Sequence, residues 1–281
     1  MPARRGALGA NVAIPAPSRR SGPGSRPAEL GGDVAVRVVA RDEPDYPAAL
    51  RAIPSPPASL WWRGELPPES AVAVVGTRRP TSFGRRAAVA VARSAVEAGF
   101  AVVSGLAAGI DAAAHRAALD AGGRTFAVLG SGVDVPTPVE NRRLAEEIVG
   151  HGGGLLAEVP PGVGRTARAL VARDRIQSGL SLAVVVCQSE VGGGAMHTAR
   201  FALAQGRLLV VVRPPDDDAG LAAFTGNLAL CAPEGCDPAA LAATGQMAVL
   251  VAARRPVADL VLTGRGELAG LWATLERRHP K

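Results

Sequence analysis

The chain has 281 residues, of which 48% are hydrophobic and 3% aromatic, so its core must be built mainly from Ala, Val and Leu. Three cysteines are too few for a disulfide framework and the four histidines follow no ligand spacing, which argues against a disulfide-rich secreted domain and a structural metal. The formal charge of +6 suits an anionic partner but is weak evidence for nucleic acid by itself.

Residues 1–32, at the N-terminus, are rich in Pro, Gly, Ser, Ala and Arg and show no hydrophobic periodicity. Such a segment cannot bury enough apolar surface to offset the entropy lost on ordering, so we expect a disordered basic tail. Its arginines are not followed by the apolar stretch of a signal peptide, and the chain has no uninterrupted apolar run of about eighteen residues. We therefore expect a cytoplasmic protein without membrane contact.

Residues 33–70 are predicted to form a lead-in strand and a connector before the main sheet. The strand is expected at 33–40, and the connector carries Trp61 and Trp62. An indole ring could stack on a nucleic-acid base, but aromatic residues at such a lead-in more often pack against the edge of a sheet. We expect packing for both tryptophans.

Two strand–turn–helix units follow in tandem. The first has an apolar, valine-rich strand at 71–75, a turn that begins at Gly76, and a helix at 85–98. The second has a strand at 100–103 and the turn SGLAAG, followed by another helix. Short apolar runs of this kind are typical of parallel strands that are buried on both faces.

Strands and helices continue to alternate along the chain. Further strands are predicted at 125–129, 154–157, 182–187 and 208–212, and further helices at 111–121, 138–150, 167–178 and 194–205. This alternation predicts the α/β class, with an extended Rossmann-like, doubly wound and mostly parallel sheet and helices on both faces. We place this core at 71–237 and expect a helical extension at 238–281, with an amphipathic helix at 266–278.

The turns after the first two strands are predicted to bind an anion. At the carboxyl edge of a parallel sheet, free backbone N–H groups and the positive ends of helix dipoles converge. Gly76, Ser104 and Gly105 would let a phosphate approach the backbone, and Arg78 and Arg79 add guanidinium groups that match phosphate oxygens. One such turn is equally well explained by tight turning and solvated arginines, but two in series favour a phosphate site.

Arginines cluster again in the segment 162–175, at Arg165, Arg168, Arg173 and Arg175. Clustered arginines that follow a glycine-containing loop can track a phosphodiester backbone with salt-dependent affinity. A surface helix with solvated arginines explains the same pattern equally well, and both interpretations stay open.

A third glycine-rich turn lies in QSEVGGGAMHTAR, where three successive glycines close one predicted strand and open the next helix. A strand-to-helix turn of this type presents N–H groups to an anion. Gly193, Gly194 and Thr198 are therefore further candidates for phosphate binding.

Asp111 and His115 are spaced i, i+4 on one face of a predicted helix. An acid–base dyad is one interpretation, but no Ser or Cys nucleophile stands at a recognisable spacing. We instead expect a hydrogen bond within the helix that fixes the preceding turn. No catalytic residue and no cofactor is predicted.

Several motifs together resemble one family. GTRRPTSFG, at 76–84, and SGLAAGIDAAAH, at 104–115, are similar to the signature of the DprA/Smf family of bacterial DNA-processing proteins. RDRIQSGLS, at 173–181, resembles a third motif of that family. The resemblance implies single-stranded DNA binding, delivery of the DNA to a RecA-type recombinase in natural transformation and recombination, and a homodimer.

The chain also departs from the family pattern. Leu170 and Val171 replace the usual Phe-Pro, which removes a ring on which a base could stack. Asp174 replaces an asparagine between two arginines and brings a carboxylate near any phosphate, and Gln188 stands where the family usually has a glutamate. We expect neither the N-terminal helical module nor the C-terminal winged-helix domain that is often found in the family.

Two classes of enzyme are alternative interpretations. Nucleoside-monophosphate phosphoribohydrolases follow their Gly-rich turn with a helical glutamate, where this chain has Arg200, and a cation is poorly suited to stabilise a developing oxocarbenium charge. A nicotinamide-dependent oxidoreductase would need GxGxxG after the first strand and an acidic residue that ends the second. A non-enzymatic protein that binds single-stranded DNA is therefore the preferred hypothesis.

Overall fold

A computed structural model describes residues 34–216, 221–231 and 257–279 of the chain. Within these ranges nine strands form one sheet. They are β1 (Val36–Ala40), β2 (Ser59–Gly64), β3 (Ala71–Gly76), β4 (Ala101–Ser104), β5 (Thr125–Leu129), β6 (Gly154–Ala157), β7 (Ala183–Gln188), β8 (Leu208–Val212) and β9 (Leu260–Leu262). The tail expected at 1–32 lies outside the described residues.

Helices connect most of these strands. The α-helices of the described ranges are α1 (Ala48–Arg51), α2 (Ser82–Glu97), α3 (Ile110–Asp120), α4 (Arg142–Gly150), α5 (Ala167–Gly179), α6 (Ala195–Ala204), α7 (Thr225–Cys231) and α8 (Leu268–Arg278). Threonine hydroxyls cap two of them: Thr81 accepts from the amide of Gly84 at the start of α2, and Thr166 accepts from the amide of Ala169 at the start of α5. None of these helices has the length and apolar run needed to cross a bilayer.

The sheet has the order β1-β2-β6-β5-β4-β3-β7-β8-β9. All pairings from β6 across to β9 are parallel, whereas β2 pairs antiparallel with both β1 and β6. β3 lies in the middle, between β4 and β7, and the chain winds outward from it in both directions. The prediction of a doubly wound, mostly parallel α/β sheet is confirmed.

The core is divided between the two faces of this sheet. Val72 and Val74 of β3 pack in a cluster with α2 and α3, whereas the alternate residues Ala73 and Val75 pack with α6 and α7. This alternation follows from the period of two in a strand, and it requires both faces of the central strand to be apolar. Alanines on α2 and α3 pack between the helices and the sheet.

The lead-in region belongs to the same sheet as the core, because β2 pairs with β6. The sequence-based prediction treated β2 as part of a connector and was wrong there. Trp62 of β2 packs against the cluster that contains Leu60, and Trp61 packs against the opposite cluster that contains Leu144 of α4. Packing of both tryptophans, rather than exposure for base stacking, is confirmed.

The C-terminal region holds one helix, as predicted, and one strand that was not predicted. β9 extends the parallel sheet beside β8, so the expectation of a helical extension is wrong at this point; residues 232–256 lie outside the described ranges. α8 returns over α2, where the indole N–H of Trp272 donates to Ser94 Oγ at 2.7 Å. The ring of Trp272 lies 5.5 Å from that of Phe100.

Candidate functional site

A cleft of about 540 Å³ opens at the carboxyl ends of β3 and β7. These strands are neighbours, but β3 leads into α2 on one face of the sheet and β7 leads into α6 on the other. The point where the winding reverses in this way is the usual binding crevice of an open α/β sheet. The cleft is lined by the β3–α2 turn, the start of α3, one side of α5 and the β7–α6 loop.

The β3–α2 turn is held against β7 by its own backbone. The amide of Thr77 donates to Gln188 O at 2.8 Å, and the amide of Thr81 donates to Gln188 Oε1 at 2.9 Å. A Cβ atom on Gly76 would lie 2.6 Å from Ile110 Cγ1 and 2.8 Å from Gln188 O, so close approach requires glycine there. Gln188 thus fixes the turn from a position that is fully buried.

Arg78 and Arg79 form the exposed rim of this turn. Both line the cleft and both side chains are exposed. Neither guanidinium makes a hydrogen bond or ion pair with any described residue, whereas the backbone amide of Arg79 donates to Thr77 Oγ1 at 3.3 Å. Their charge is therefore available to a ligand in the cleft.

The turn between β4 and α3 reaches the cleft at Ala107, but its first two residues lie behind the cleft. The prediction that Ser104 and Gly105 line the pocket is therefore wrong: Ser104 is fully buried, and its hydroxyl donates to Val74 O at 2.7 Å. Asp111 Oδ2 accepts from the amides of Gly105 and Ala107 at 3.2 and 3.3 Å. Burial raises the pKa of the Asp111 carboxyl, and the nearby Arg173 guanidinium and these amides offset part of that rise.

The prediction of a hydrogen bond within the helix between Asp111 and His115 is wrong, because the two side chains bond to different partners. Asp111 does fix the turn, but His115 Nδ1 lies 2.6 Å from Thr125 Oγ1 on the neighbouring strand. Burial, with a smaller effect from Arg173, lowers the pKa of His115 to about 3. His115 is therefore a neutral residue of the interior and cannot serve as a base that exchanges protons with the cleft.

Arg173 is the central residue of the α5 wall. Its Nη1 donates to Gly105 O and to Val128 O, the latter at 2.7 Å, and its Nη2 lies 3.9 Å from Asp111 Oδ2. A Cβ atom on Gly105 would collide with this guanidinium. Arg173 lines the cleft but is only 8% exposed, so its charge is used mainly to hold the ends of β4 and β5 together.

Asp174 and Gln177 continue the same wall. Asp174 Oδ1 lies 3.4 Å from Arg173 Nε and accepts from Gln177 Nε2 at 3.2 Å. Both side chains line the cleft, and both are buried. Burial raises the pKa of Asp174 to about 7; Arg173 acts in the opposite direction, and Asp111 adds to the rise.

The other three arginines predicted on this segment do not line the cleft. Arg175 makes two hydrogen bonds to the Glu158 carboxylate, at 2.9 and 2.6 Å, and its Nε donates to Ser55 O at 2.8 Å. The prediction that Arg175 lines the pocket is therefore wrong, because these contacts hold it on another side of α5. Arg165 and Arg168 are exposed, and Arg168 is turned about 100° around the helix axis from Ala167, which does face the cleft.

The β7–α6 loop supplies hydrogen-bond donors to the other side of the cleft. Gly193, Gly194 and Thr198 all line it, as predicted. The amides of Gly194 and Ala195 find no acceptor among the described residues, and neither does the hydroxyl of Thr198. These groups can donate to an anion at the start of α6.

The same loop brings an acidic residue that the sequence analysis missed. Glu190 is exposed at the cleft, two residues after the end of β7, and it could have been recognised in the motif QSEVGGG. The cleft is thus lined by three arginines and by three acidic residues, Asp111, Asp174 and Glu190, so that its formal charges cancel. The prediction of a simply positive pocket needs this correction: the positive charge is concentrated on the exposed rim.

No three His, Cys, Asp or Glu side chains of the described ranges cluster as metal ligands.

A family model and the curated relatives point to the same family. The family model described as DNA recombination-mediator protein A matches residues 37–231. The chain is 44% identical over 167 residues to Protein Smf of Synechocystis sp., which covers 57% of this chain and 42% of that protein. It spans about half the length of the curated relatives it matches.

Solved structures share the fold. The X-ray structure of DNA processing protein A from Streptococcus pneumoniae superposes with a TM-score of 0.66 at 31% identity, covering 83% of this chain and 73% of that one. The structure of DNA processing protein A from Helicobacter pylori, a protein with a single-stranded DNA binding mode, also gives a TM-score of 0.66. It is 23% identical and covers 88% of this chain and 98% of that one.

Proposed function

The chain belongs to the DNA recombination-mediator protein A family, and from this premise we propose that it binds single-stranded DNA in the cleft between β3 and β7. The Helicobacter pylori relative has a single-stranded DNA binding mode, which supports the choice of ligand. In this proposal the protein holds the strand without breaking a bond in it.

One observation carries the proposal. Two exposed arginines without ion-pair partners among the described residues, Arg78 and Arg79, face a cleft whose other side offers free amide donors at Gly194 and Ala195. Guanidinium groups and helix-start amides are the donors that phosphate oxygens require. Their placement on two sides of one open cleft suits a phosphodiester chain that passes between them.

The finer role follows from the family. We propose that the protein acts in DNA uptake, natural transformation and recombination, that it hands the bound strand to a RecA-type recombinase, and that it works as a homodimer in the cytoplasm. Each of these statements extends the DNA-processing function of the family to this chain. With the purified protein, strand-exchange assays test the handover to a recombinase and sedimentation tests the homodimer.

Binding of a fluorescently labelled oligothymidylate across a salt series tests the primary proposal. Affinity should fall as salt rises, because bound phosphates release counterions. Replacing both Arg78 and Arg79 by Ala should weaken binding about tenfold or more at moderate salt and flatten the slope of log affinity against log salt.

The matched control removes two exposed arginines elsewhere, with Arg93→Ala and Arg278→Ala. Arg93 lies in the later turns of α2 and Arg278 at the end of α8, and neither lines the cleft. This variant has the same net charge as the rim variant but keeps the rim, so its affinity and salt slope should stay near those of the wild type. Equal losses in the two variants, or affinity that is indifferent to salt, would sink the proposal.

A further inference from the structure

A buried polar atom on the α5 wall has no hydrogen-bond partner. Gln177 is 1% exposed, and its Oε1 finds no donor in the part of the chain that the structure describes. Its Nε2 already donates to Asp174 Oδ1, which is itself 6% exposed. Buried acceptors of this kind carry a desolvation cost unless a donor is supplied.

The acid that Gln177 contacts also has little to hold its charge. Asp174 Oδ1 lies 3.4 Å from Arg173 Nε, and the Nη2 of the same guanidinium lies 3.9 Å from Asp111 Oδ2. All three side chains are buried, so two carboxylates share one arginine. This arrangement favours a proton on one of the two acids.

Charged groups reach Asp174 from several elements. Arg173 contacts it on its own helix, Asp111 acts on it from α3, and Arg78 acts on it from the β3–α2 turn. Glu190 and His197 line the same cleft from the β7–α6 segment. With all three acids ionised the formal charges of the lining cancel, so neutralising one acid leaves the cleft with a net positive charge that adds to the attraction of the rim arginines for a polyanion.

Of these groups Asp174 is well suited to take up the proton. Its pKa is about 7, close to neutral pH, and a phosphate nearby would raise it further. Burial and Arg200 lower the pKa of His197 below its usual value, which moves its titration away from the range above pH 7. Asparagine, the residue of the DprA/Smf pattern at position 174, is a permanently neutral counterpart of the protonated acid.

From this arrangement we infer that Asp174 is a specificity-determining residue of the cleft, which takes up one proton when a phosphate chain binds and so restricts tight binding to neutral and mildly acidic conditions. The inference rests on the proposed function, since it assumes that phosphates enter this cleft. It adds a chemical condition for binding that Arg78 and Arg79 alone would not impose.

The test measures binding of the labelled oligothymidylate to the full-length protein at constant ionic strength, from about pH 6 to about pH 9. One linked proton gives constant affinity below about pH 7 and a loss of up to about tenfold per pH unit above it. Asp174→Asn should bind at every pH with the affinity that the wild type has at pH 6. A flat wild-type profile, an unchanged slope in Asp174→Asn, or loss of binding by that variant at pH 6 would overturn the inference.

Two control variants identify the titrating group. Glu190→Gln also removes a negative charge from the cleft, so it should raise the affinity but keep the slope, because Asp174 remains. His197→Gln should keep the slope as well. Loss of the slope in either control would assign the proton to a different residue and overturn the inference.

Calorimetry provides a measurement that needs no variant. Titration of the wild type with oligothymidylate at about pH 8, in buffers of different ionisation enthalpy, reports the number of protons taken up on binding. A value approaching one supports the inference, and a value near zero overturns it. If no variant and no pH gives binding at all, the proposed function itself falls, and that result is distinct from binding that does not depend on pH.

Discussion

Arg173 on the α5 wall and Arg78 on the β3–α2 turn both face the cleft, yet their surroundings differ in almost every respect. Arg173 is 8% exposed and is bonded to two backbone carbonyl oxygens beside two carboxylates. Arg78 is exposed and makes no hydrogen bond or ion pair with any other residue in the described ranges. The same side chain thus organises the wall in one place and is free to meet a ligand in the other.

The comparison distinguishes the contribution of an arginine to the stability of the fold from its contribution to ligand binding. A buried guanidinium has lost its water, and its favourable energy comes from partners that are already in place. An exposed guanidinium keeps its water and gains little from the fold, so its charge can be spent on a ligand. We therefore expect substitutions on the α5 wall to change stability, and substitutions on the turn to change binding.

The largest effect should come from Arg173→Ala. This substitution leaves the carbonyl oxygens of Gly105 and Val128 without their donor, and it leaves the buried Asp111 without its cationic neighbour. The free energy of unfolding should therefore fall by about 3 to 5 kcal/mol. Arg78→Ala should change the unfolding free energy by less than about 0.5 kcal/mol. Urea denaturation followed by circular dichroism measures both values, and similar losses in the two variants would erase the distinction between the walls.

The sequence predicted the fold better than it predicted the role of Arg173. Buried parallel strands such as β3 and β7 are recognisable in the sequence as apolar runs. Glycines predict the turns after them, because glycine adopts the backbone conformations that tight turns require. Neither β2 nor β9 was predicted as a strand, because β2 lies among prolines and tryptophans and β9 is three residues long. The partners of Arg173 are 68 and 45 positions away along the chain, and no local pattern could reveal them.

The glycines of the cleft extend the comparison and should show a smaller effect. A Cβ on Gly76 would press on Ile110 and on the Gln188 backbone, so Gly76→Ala should lower the unfolding free energy by about 1 to 3 kcal/mol. A Cβ on Gly194 would meet nothing within 4 Å, and its φ of −57° suits any residue, so Gly194→Ala should stay within about 0.5 kcal/mol of the wild type. Thermal melts of both variants measure this order. A Gly76→Ala variant as stable as the wild type would show that the turn can shift away from β7.

The last expected effect depends on pH, concerns Asp174→Asn and requires no DNA. The pKa of Asp174 is about 7 in the folded protein and 3.8 in its unperturbed form. Between pH 3.8 and about pH 7, the folded protein therefore keeps a proton on Asp174 that the unfolded chain has released. The stability that depends on this proton therefore decreases as pH rises through that window and is constant above it. The asparagine variant lacks this decrease, so its unfolding free energy should match that of the wild type near pH 4 and exceed it by up to about 4 kcal/mol at pH 8.

Urea midpoints at the two pH values measure the difference, and Glu190→Gln serves as the control because it removes an acid that is exposed rather than buried in the α5 wall. A difference between Asp174→Asn and the wild type that is equal at both pH values would mean that Asp174 is ionised at both, with Arg173 stabilising its charge. The α5 wall would then be a fixed ion pair rather than a site that exchanges a proton. Since burial opposes the charge on Asp174 more strongly than Arg173 supports it, we expect the gain to appear only as the pH rises.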